Sequence, residues 1–328
     1  MNTASKTIAV EPSPHLHLNI TIADAMGDVI IALVPITFVA SFVFGFGSLL
    51  VLATCMAGAV MGEVFARKIK GEKPSINDGT ALVTGLLLAL TLPPTAWWAV
   101  VPLYTIGGFL STAVFRELMG GLGLNRFNPA LLARLFLLIG RTSLVYLAPF
   151  LLRFSPHFEP WLLELEVVDA VSKATPLIAA VHGLSTPGYI NIFLVHEGGA
   201  LGETSVLALL LGAAYLFYRG HITWHIPASI LGTIFILTAV LGESPLFHTL
   251  AGGAILGAFF MATDWATSPV TGKGKVVFGV GIGILVVIFR LYAAQYWVPV
   301  GGIAFSILIM NAFVPAIDRL TKRIKFGG

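Results

Sequence analysis

Long apolar segments with few interruptions are the feature that most constrains this sequence of 328 residues. Only 11% of the residues are charged and 57% are hydrophobic, whereas a soluble domain carries about 25% charged residues because its surface faces water. A helix that crosses a bilayer needs roughly 20 mostly apolar residues. The sequence therefore predicts an all-α, polytopic membrane protein embedded in a lipid bilayer, and it excludes a soluble enzyme.

The apolar segments divide into about ten candidate transmembrane helices. The predicted helices cover residues 24–44, 47–66, 79–92, 96–117, 129–150, 203–219, 224–242, 248–263, 275–292 and 299–318. The third and the eighth are short for a crossing, so we expect them to be tilted, extended by irregular backbone or buried inside the bundle.

The distribution of Lys and Arg predicts the orientation, because cytoplasmic loops carry an excess of basic residues. Ten crossings that start from a cytoplasmic N-terminus leave only Arg153 and Lys173 in outer loops, with Arg141 and Arg290 near outer helix ends. The remaining basic residues of the loops and the tail then lie inside. Both termini are therefore predicted to be cytoplasmic.

An internal repeat divides the chain into two halves of five helices. Residues 85–91 in the third helix are echoed by residues 257–263 in the eighth, and polar, Pro-containing sequence follows both. An odd number of helices per half predicts repeats that are inverted in the membrane. The predicted regions are a cytoplasmic segment (1–22), repeat one (about 23–150), an outer loop (about 151–202), repeat two (about 203–318) and a basic tail (319–328).

Several kinds of site are excluded by the residues present. The single cysteine, Cys55, forms no disulfide or cysteine-ligated cluster within the chain, and basic stripes with interleaved aromatics, typical of nucleic-acid binding, are lacking. His221 and His225 have a metal-ligand spacing but lie at an interfacial helix start without a nearby acid, so we predict no metal site. The glycines at 279, 281 and 283 lie in an apolar helix and predict a close-packing face.

The outer loop contains the segment Ser172-Lys-Ala174-Thr175-Pro176. One interpretation is a helix start, with Thr175 as N-cap and Pro176 at the first helical position. The other is that Thr175 carries a covalently attached, phosphate-containing cofactor. Small neighbours at Ser172 and Ala174 would admit a bulky group, and a helix N-terminus favours its negative charge.

The Ser-x-Ala-Thr segment resembles the flavinylation motif of the RnfD/NqrB family, in which the threonine is esterified to FMN phosphate. Further segments resemble the family in the same order along nearly the whole chain. They are residues 77–94, 120–130, 202–205, 224–227, 263–269 and 311–318. The resemblance is closer to RnfD, because the long N-terminal extension typical of NqrB is missing.

The resemblance implies an electron-transfer subunit of an Rnf-type ferredoxin:NAD oxidoreductase that couples electron flow to Na⁺ or H⁺ translocation across the bacterial inner membrane. It implies FMN bound covalently to Thr175, with Ser172 and Ala174 at the site. It also implies partner subunits with iron–sulfur clusters and a second covalent FMN. The subunit's own role would be to hold the flavin, which does the redox chemistry, so no catalytic side chain is expected.

Two polar segments on the predicted cytoplasmic side have open interpretations. Asn125, Phe127 and Asn128 precede Pro129 and form either a turn with a helix cap or, as the family implies, the lining of a non-covalent riboflavin site. Asp264 and Thr267 form either a cap or part of an ion or flavin site. Three polar residues in or beside apolar segments are predicted to face the bundle interior: Glu63, Glu117 and Asn311.

A different class of function also fits the predicted fold. Inverted five-helix repeats with short paired helices are typical of small-solute transporters as well. A permease or channel of that kind would carry no cofactor. Because function depends on sites and not on the fold, a bound flavin is the feature that separates the two predictions.

Overall fold

The computed structural model is helical throughout the residues that it describes. These are residues 21–73, 75–94, 101–139, 176–177, 186–293 and 302–321. Thr175, Ser172 and Ala174, together with most of the predicted outer loop, lie outside the described residues.

Five helices of the first half lie among the described residues, near the predicted positions. They are α1 (Ile22–Phe44), α2 (Phe46–Lys70), α3 (Thr80–Leu90), α4 (Val101–Thr112) and α5 (Pro129–Ile139). Thr21 begins α1 with a capping box, in which its hydroxyl accepts from the backbone N–H of Asp24 and the Asp24 carboxylate accepts in return. Such reciprocal capping satisfies donors that a helix N-terminus leaves open.

Seven helices lie between residues 186 and 321 of the described part of the chain, and three of them are short. They are α6 (Tyr189–Leu194), α7 (Val206–Tyr218), α8 (His225–Val240), α9 (Pro245–Leu250), α10 (Ala254–Leu256), α11 (Gly272–Ile288) and α12 (Ile303–Thr321). The predicted helix 248–263 is in fact divided into α9 and α10, and α10 continues into a π turn over Gly257–Met261. Gly252 and Gly253 separate them with φ of 66° and 67°, a backbone conformation that glycine adopts without steric cost.

The two halves run in opposite directions through the bundle. Asp28, near the start of α1, accepts hydrogen bonds from Tyr215 and Arg219 at the end of α7. The start of α1 therefore lies beside the end of α7. We call this end of the bundle the N-terminal face. The other end, which contains Gly45 and Gly252, is the opposite face. Helices α1 and α7 are therefore antiparallel, as an inversion of the two halves requires.

Helices α4 and α11 each end in a π-helical turn that carries a buried arginine. Helix α4 continues into the π turn Ala113–Leu118 with Arg116, and α11 continues into Phe289–Ala293 with Arg290. The two side chains are 2% and 4% exposed. π turns of this kind are rare and frequently occur at functional sites. Arg116 was predicted to lie in an inside loop, but the π turn buries it in the bundle.

Glycines bring neighbouring helices into close contact. A Cβ at Gly212 in α7 would lie 1.9 Å from the carbonyl oxygen of Ala32 in α1. A Cβ at Gly279 would lie 2.6 Å from Cβ of Ser229 in α8, and one at Gly283 would meet Thr233 at the same distance. The predicted packing face of α11 is thus confirmed, since only glycine permits these backbone approaches.

The outer surface of the bundle is apolar, as expected of a surface in lipid. Four helices among the described residues are long and apolar enough to span a bilayer: α1, α2, the helix over 272–292 and α12. Large side chains at the lipid-facing surface include Phe38 and Phe42, which are 69% and 84% exposed. A soluble protein does not leave such a surface open to water, so the fold is that of a polytopic membrane protein.

Candidate functional site

A cavity of about 380 Å³ opens at the N-terminal face between the two halves. Its wall combines apolar and aromatic side chains with a few polar groups, the usual composition of a ligand site. The polar and charged lining residues are Thr80, Thr84, Arg116, Asn125, Asn128, His221, Thr263 and Asp264. The apolar and aromatic lining includes Val29, Val83, Leu87, Phe259, Phe260 and Trp265.

Asn125 and Asn128, predicted from the sequence as site residues, both lie on the cavity wall. The side-chain nitrogen of Asn125 donates to the carbonyl of Phe127 at 3.1 Å, which fixes the turn before α5. The Phe127 side chain itself packs against the hydrophobic core and is not among the residues that line the cavity. Its structural contribution is therefore the carbonyl that orients Asn125.

Asn128 also caps α5, as the structural interpretation predicted. Its Oδ1 accepts from the backbone N–H groups of Ala130 and Leu131 at 3.1 and 3.3 Å, which satisfies open donors at the helix start. Its Nδ2 donates to the carbonyl of Met261 at 3.3 Å. Asn128 thus joins the start of α5 to the π-helical end of α10 and forms part of the cavity wall at the same time.

Asp264 and Thr267 form one hydrogen-bonded turn after α10. The Thr267 hydroxyl donates to Oδ2 of Asp264 at 2.9 Å, and its backbone N–H donates to the Asp264 carbonyl at 3.3 Å. Asp264 lines the cavity, whereas Thr267 is buried behind it. Asn311 is 1% exposed, so the prediction that it faces the interior is confirmed. In the amide orientation that satisfies both its oxygen and its nitrogen, it donates to the Thr267 carbonyl and accepts from the Asn128 backbone N–H.

Asp28 is a buried carboxylate that contacts His221 at one edge of the cavity. It accepts from the Tyr215 hydroxyl at 2.7 Å and from Nε of Arg219 at 2.8 Å, and its Oδ2 lies 2.6 Å from Nε2 of His221. The sequence argument that no acid lies near His221 is therefore wrong. The acid is supplied by α1, far away in sequence, and the contact orients the His221 ring at the cavity.

Five charged side chains form an ion-pair cluster beside the cavity. Nη2 of Arg116 lies 2.9 Å from Oε2 of Glu63, and Nε of Arg116 lies 3.4 Å from Oε1 of Glu117. Arg67 pairs with Glu63 at 3.3 Å, and Lys70 pairs with Glu117 at 3.2 Å. The prediction that Glu63 and Glu117 face the interior is confirmed, because both are almost fully buried.

Asp78, in the turn before α3, extends this cluster. Burial raises the pKa of its carboxyl, but hydrogen bonds from the Ser75 hydroxyl and from the hydroxyl and backbone N–H of Thr80 lower it more, and nearby Arg116 lowers it further. The net pKa of Asp78 is therefore below its ordinary value. The Ser75 hydroxyl also lies 3.0 Å from Glu63, which connects the turn to the buried ion pairs.

Leu177 and Arg290 meet at the opposite face. A Cβ at Gly252 would lie 2.1 Å from Cδ1 of Leu177 and 2.9 Å from Nη2 of Arg290. The Arg290 guanidinium donates to the carbonyls of His248, Ala251 and Gly252. The segment that directly follows Thr175 in sequence therefore packs beside a buried cation, at the end of the bundle away from the cavity.

Comparison with known proteins identifies one family over nearly the whole sequence. A model described as the NQR2, RnfD, RnfE family matches residues 9–327. The chain belongs to this family. The resemblance predicted from the sequence is thus confirmed, and so is the polytopic, all-helical class of the fold.

Curated members of the family match over almost their full lengths. A protein of Acetobacterium woodii, named as a component of a Na⁺-translocating ferredoxin:NAD⁺ oxidoreductase complex, is 39% identical over 98% of this chain and 95% of its own length. A Clostridium ljungdahlii protein, named as a component of a proton-translocating ferredoxin:NAD⁺ oxidoreductase complex, is 38% identical, over 97% and 96%. A Methanosarcina acetivorans protein, named as a component of an ion-translocating oxidoreductase complex, is 32% identical, over 98% of each chain.

In this RnfD-family chain, sequence analysis missed three buried charged residues at the sites: Asp28, Arg116 and Arg290. Each lies in or beside an apolar segment, where an ionisable side chain is costly and by default functional. That signal was available for all three. The contacts that they make were not, because most of their partners, such as Glu63 for Arg116 and Tyr215 for Asp28, come from segments distant in sequence.

Proposed function

We propose that this chain is the electron-carrying RnfD component of an Rnf-type, ion-translocating ferredoxin:NAD oxidoreductase, with FMN bound covalently to Thr175. The observation that carries the proposal is the motif Ser172-Lys-Ala174-Thr175, located directly before the buried Leu177. The corresponding proteins of two organisms with such complexes share 38–39% identity with it over nearly the full chain. Their names differ in the ion, so the proposal leaves Na⁺ and H⁺ open.

The surroundings of Leu177 fit a phosphoester at the preceding threonine. The Arg290 guanidinium next to Leu177 and Gly252 is a buried positive charge, and cations stabilise phosphate strongly in a low dielectric. Pro176 and Leu177 are helical, and proline is favoured at the first position of a helix, where the N-terminus favours negative charge. The packing of Leu177 against Gly252 would hold the attachment point at a constant depth.

The cavity at the N-terminal face fits a second, non-covalent flavin, which we assign to riboflavin. Its volume of about 380 Å³ falls within the usual range of roughly 300–1,000 Å³ for ligand pockets. Asn125, Asn128 and Asp264 would hold the polar part of the ligand, with Thr267 orienting Asp264 and the Phe127 carbonyl orienting Asn125. A bound flavin supplies electron transfer, and the protein supplies its position and its electrostatic surroundings.

The two proposed flavin sites belong to opposite faces of the bundle, which suits electron transfer across the membrane. We propose that the N-terminal face lies on the cytoplasmic side of the bacterial inner membrane, together with both termini, because it carries Arg67, Lys70 and Arg219. The proposed partners are the other Rnf membrane subunits and the subunits with iron–sulfur clusters and the second covalent FMN.

The decisive experiment is a Thr175→Ala substitution in the whole complex expressed in its native host. Denaturing gels separate the subunits, so flavin fluorescence at the position of this chain reports covalent attachment alone. We expect the wild-type band to fluoresce and the Thr175→Ala band to be dark at equal protein amount, because alanine has no hydroxyl to form the phosphoester.

The Thr175→Ser variant is the matched control, since it keeps a hydroxyl at the same position. It should retain fluorescence above that of the alanine variant, and peptide mapping should find the added FMN phosphoryl group on residue 175. A wild-type band that is dark, or an alanine band that stays bright, overturns the proposal. A colourless wild-type protein would instead support the permease or channel.

A further inference from the structure

Arg116 is held in one orientation by two buried carboxylates. It lies in the π turn at the end of α4 and is 2% exposed. Glu63 faces Nη2 at 2.9 Å, and Glu117 faces Nε at 3.4 Å. Because both acids lie on the Nε and Nη2 side of the planar guanidinium, the third nitrogen, Nη1, is directed away from the ion pairs.

All three guanidinium nitrogens of Arg116 are buried and make no hydrogen bond of good geometry among the described residues. Its closest carboxylate contacts are made by Nη2 with Glu63 and by Nε with Glu117, which leaves Nη1 as the nitrogen farthest from them. A buried donor without an acceptor costs about 1–3 kcal/mol, and more when it is charged. Arg116 also lines the cavity at the N-terminal face. A ligand in the cavity with an acceptor at that point would remove the cost.

The rest of the cavity wall indicates what kind of ligand this is. Phe259, Phe260 and Trp265 provide aromatic surface, and Val83 and Leu87 provide aliphatic surface. Flat aromatic rings pack well against such walls. The cavity therefore fits a planar, aromatic heterocycle whose one edge carries acceptor atoms.

We propose that Nη1 of Arg116 donates a hydrogen bond to the carbonyl and nitrogen acceptors of the pyrimidine edge of the flavin in this cavity, and that its charge favours the reduced flavin. This inference rests on the non-covalent flavin of the proposed function. Reduction increases the electron density of that edge, and a nearby cation in a low dielectric stabilises it. A charge beside this part of a flavin is a principal means of tuning its potential.

The experiment compares three variants of the intact complex: Arg116→Gln, Arg116→Lys and Arg67→Gln. Arg67 is the matched control because it pairs with the same Glu63 and approaches Glu117 but does not line the cavity. Non-covalent flavin is released by denaturation and quantified against covalent FMN. The reduction potential of the non-covalent flavin is then measured by spectroelectrochemistry after the complex is reloaded with excess riboflavin.

We expect Arg116→Gln to lower the ratio of non-covalent to covalent flavin at least tenfold, with covalent FMN unchanged. In the reloaded Arg116→Gln complex, the preference for reduced over oxidised flavin should fall at least tenfold, which is about 30 mV more negative for a two-electron couple. Arg67→Gln should stay within about twofold of wild type, because Arg67 does not line the cavity.

Arg116→Lys keeps the charge but has a single donor group, so it tests the inference if the glutamine variant does not assemble. It should lose at least threefold of the non-covalent flavin. If the Arg116 variants keep the flavin content and reduction potential of the wild type, the proposed role of Arg116 is overturned. The same holds if Arg67→Gln loses as much non-covalent flavin as Arg116→Gln. Neither result contradicts the proposed second flavin itself. A wild-type complex without non-covalent flavin overturns both this role and the proposed second flavin, while the Thr175 result stands independently.

Discussion

Nε2 of His221 lies 2.6 Å from Oδ2 of Asp28, although 193 positions separate the two residues in sequence. The contact joins the start of α1 in the first half to the segment after α7 in the second half. Tyr215 and Arg219 donate to the same carboxylate, so a single acidic side chain collects three donors from the other repeat. Asp28 is therefore the main polar connection between the halves at the N-terminal face.

We predict that Asp28→Asn loosens this connection. The amide nitrogen would face the donors that now surround a carboxylate, and charge-assisted hydrogen bonds would be lost. The apparent unfolding midpoint in detergent should fall by about 5 °C, measured by a thermal-shift or tryptophan-fluorescence scan at one fixed scan rate.

Asp24→Asn is the control for that substitution, because Asp24 lies one turn earlier in α1 and its carboxylate serves the exposed capping box. Its midpoint should change by less than that of Asp28→Asn. Equal shifts in the two variants would show that the effect comes from the start of α1 in general and not from the contact between the repeats.

A second prediction concerns the crossing of α1 and α7. Gly212→Ala should separate the helices, because the new Cβ would lie 1.9 Å from the Ala32 carbonyl oxygen. A backbone oxygen cannot move aside by a change of rotamer. Overpacking of this kind costs about 1–3 kcal/mol. The measurement is the yield and unfolding midpoint of the purified protein.

Gly232→Ala in α8 provides the comparison, since a Cβ there would meet nothing within 4 Å. Alanine is the better helix former by about 1 kcal/mol, so this variant should match or exceed the wild-type midpoint. A Gly212→Ala protein as stable as Gly232→Ala would contradict the close approach of α1 and α7.

The third prediction uses the lowered pKa of Asp78. Hydrogen bonds from Ser75 and Thr80 favour the charged form against the effect of burial. A group whose folded pKa is lowered contributes stability above its unfolded pKa and loses it as the pH falls through the folded pKa. The stability difference between wild type and Asp78→Asn should therefore be present at about pH 6.5 and shrink toward about pH 3.5.

The neighbouring Asn77→Ala is the control for the pH series, because neither asparagine nor alanine titrates. Its difference from wild type should be nearly constant between the two pH values. If the Asp78→Asn difference is also constant, the carboxylate of Asp78 is not the ionised acceptor that organises the turn before α3.

Most of the fold was predictable because apolar segment length is a local property. The predicted helices agree with the observed ones to within a few residues over the described parts, with two exceptions: helix 248–263 is divided at Gly252 and Gly253, and α6 lies in the predicted outer loop, where no helix was predicted. The short third helix of each half was also predicted. The π turns of α4 and α11 were not, since their sequence is compatible with an ordinary α-helix.

The site was predicted in part. Asn125, Asn128 and Asp264 were named from the sequence, and the structure brings all three to one cavity. Phe127 and Thr267 do not line the cavity. They orient Asn125 and Asp264 through a backbone carbonyl and a hydroxyl, respectively. Arg116 was counted among loop cations, because sequence alone does not reveal that a π turn and two acids bury it.

The sequence by itself determined that the chain lies in lipid and where most of its helices are, because hydrophobicity and its periodicity depend only on residues close together in the chain. The tertiary structure decided which charges are buried and what they face. Asp28 meets His221, and Arg116 meets Glu63, only after helices distant in sequence have packed. In a low-dielectric interior, that packing determines whether a charged side chain is paired or left available for a ligand.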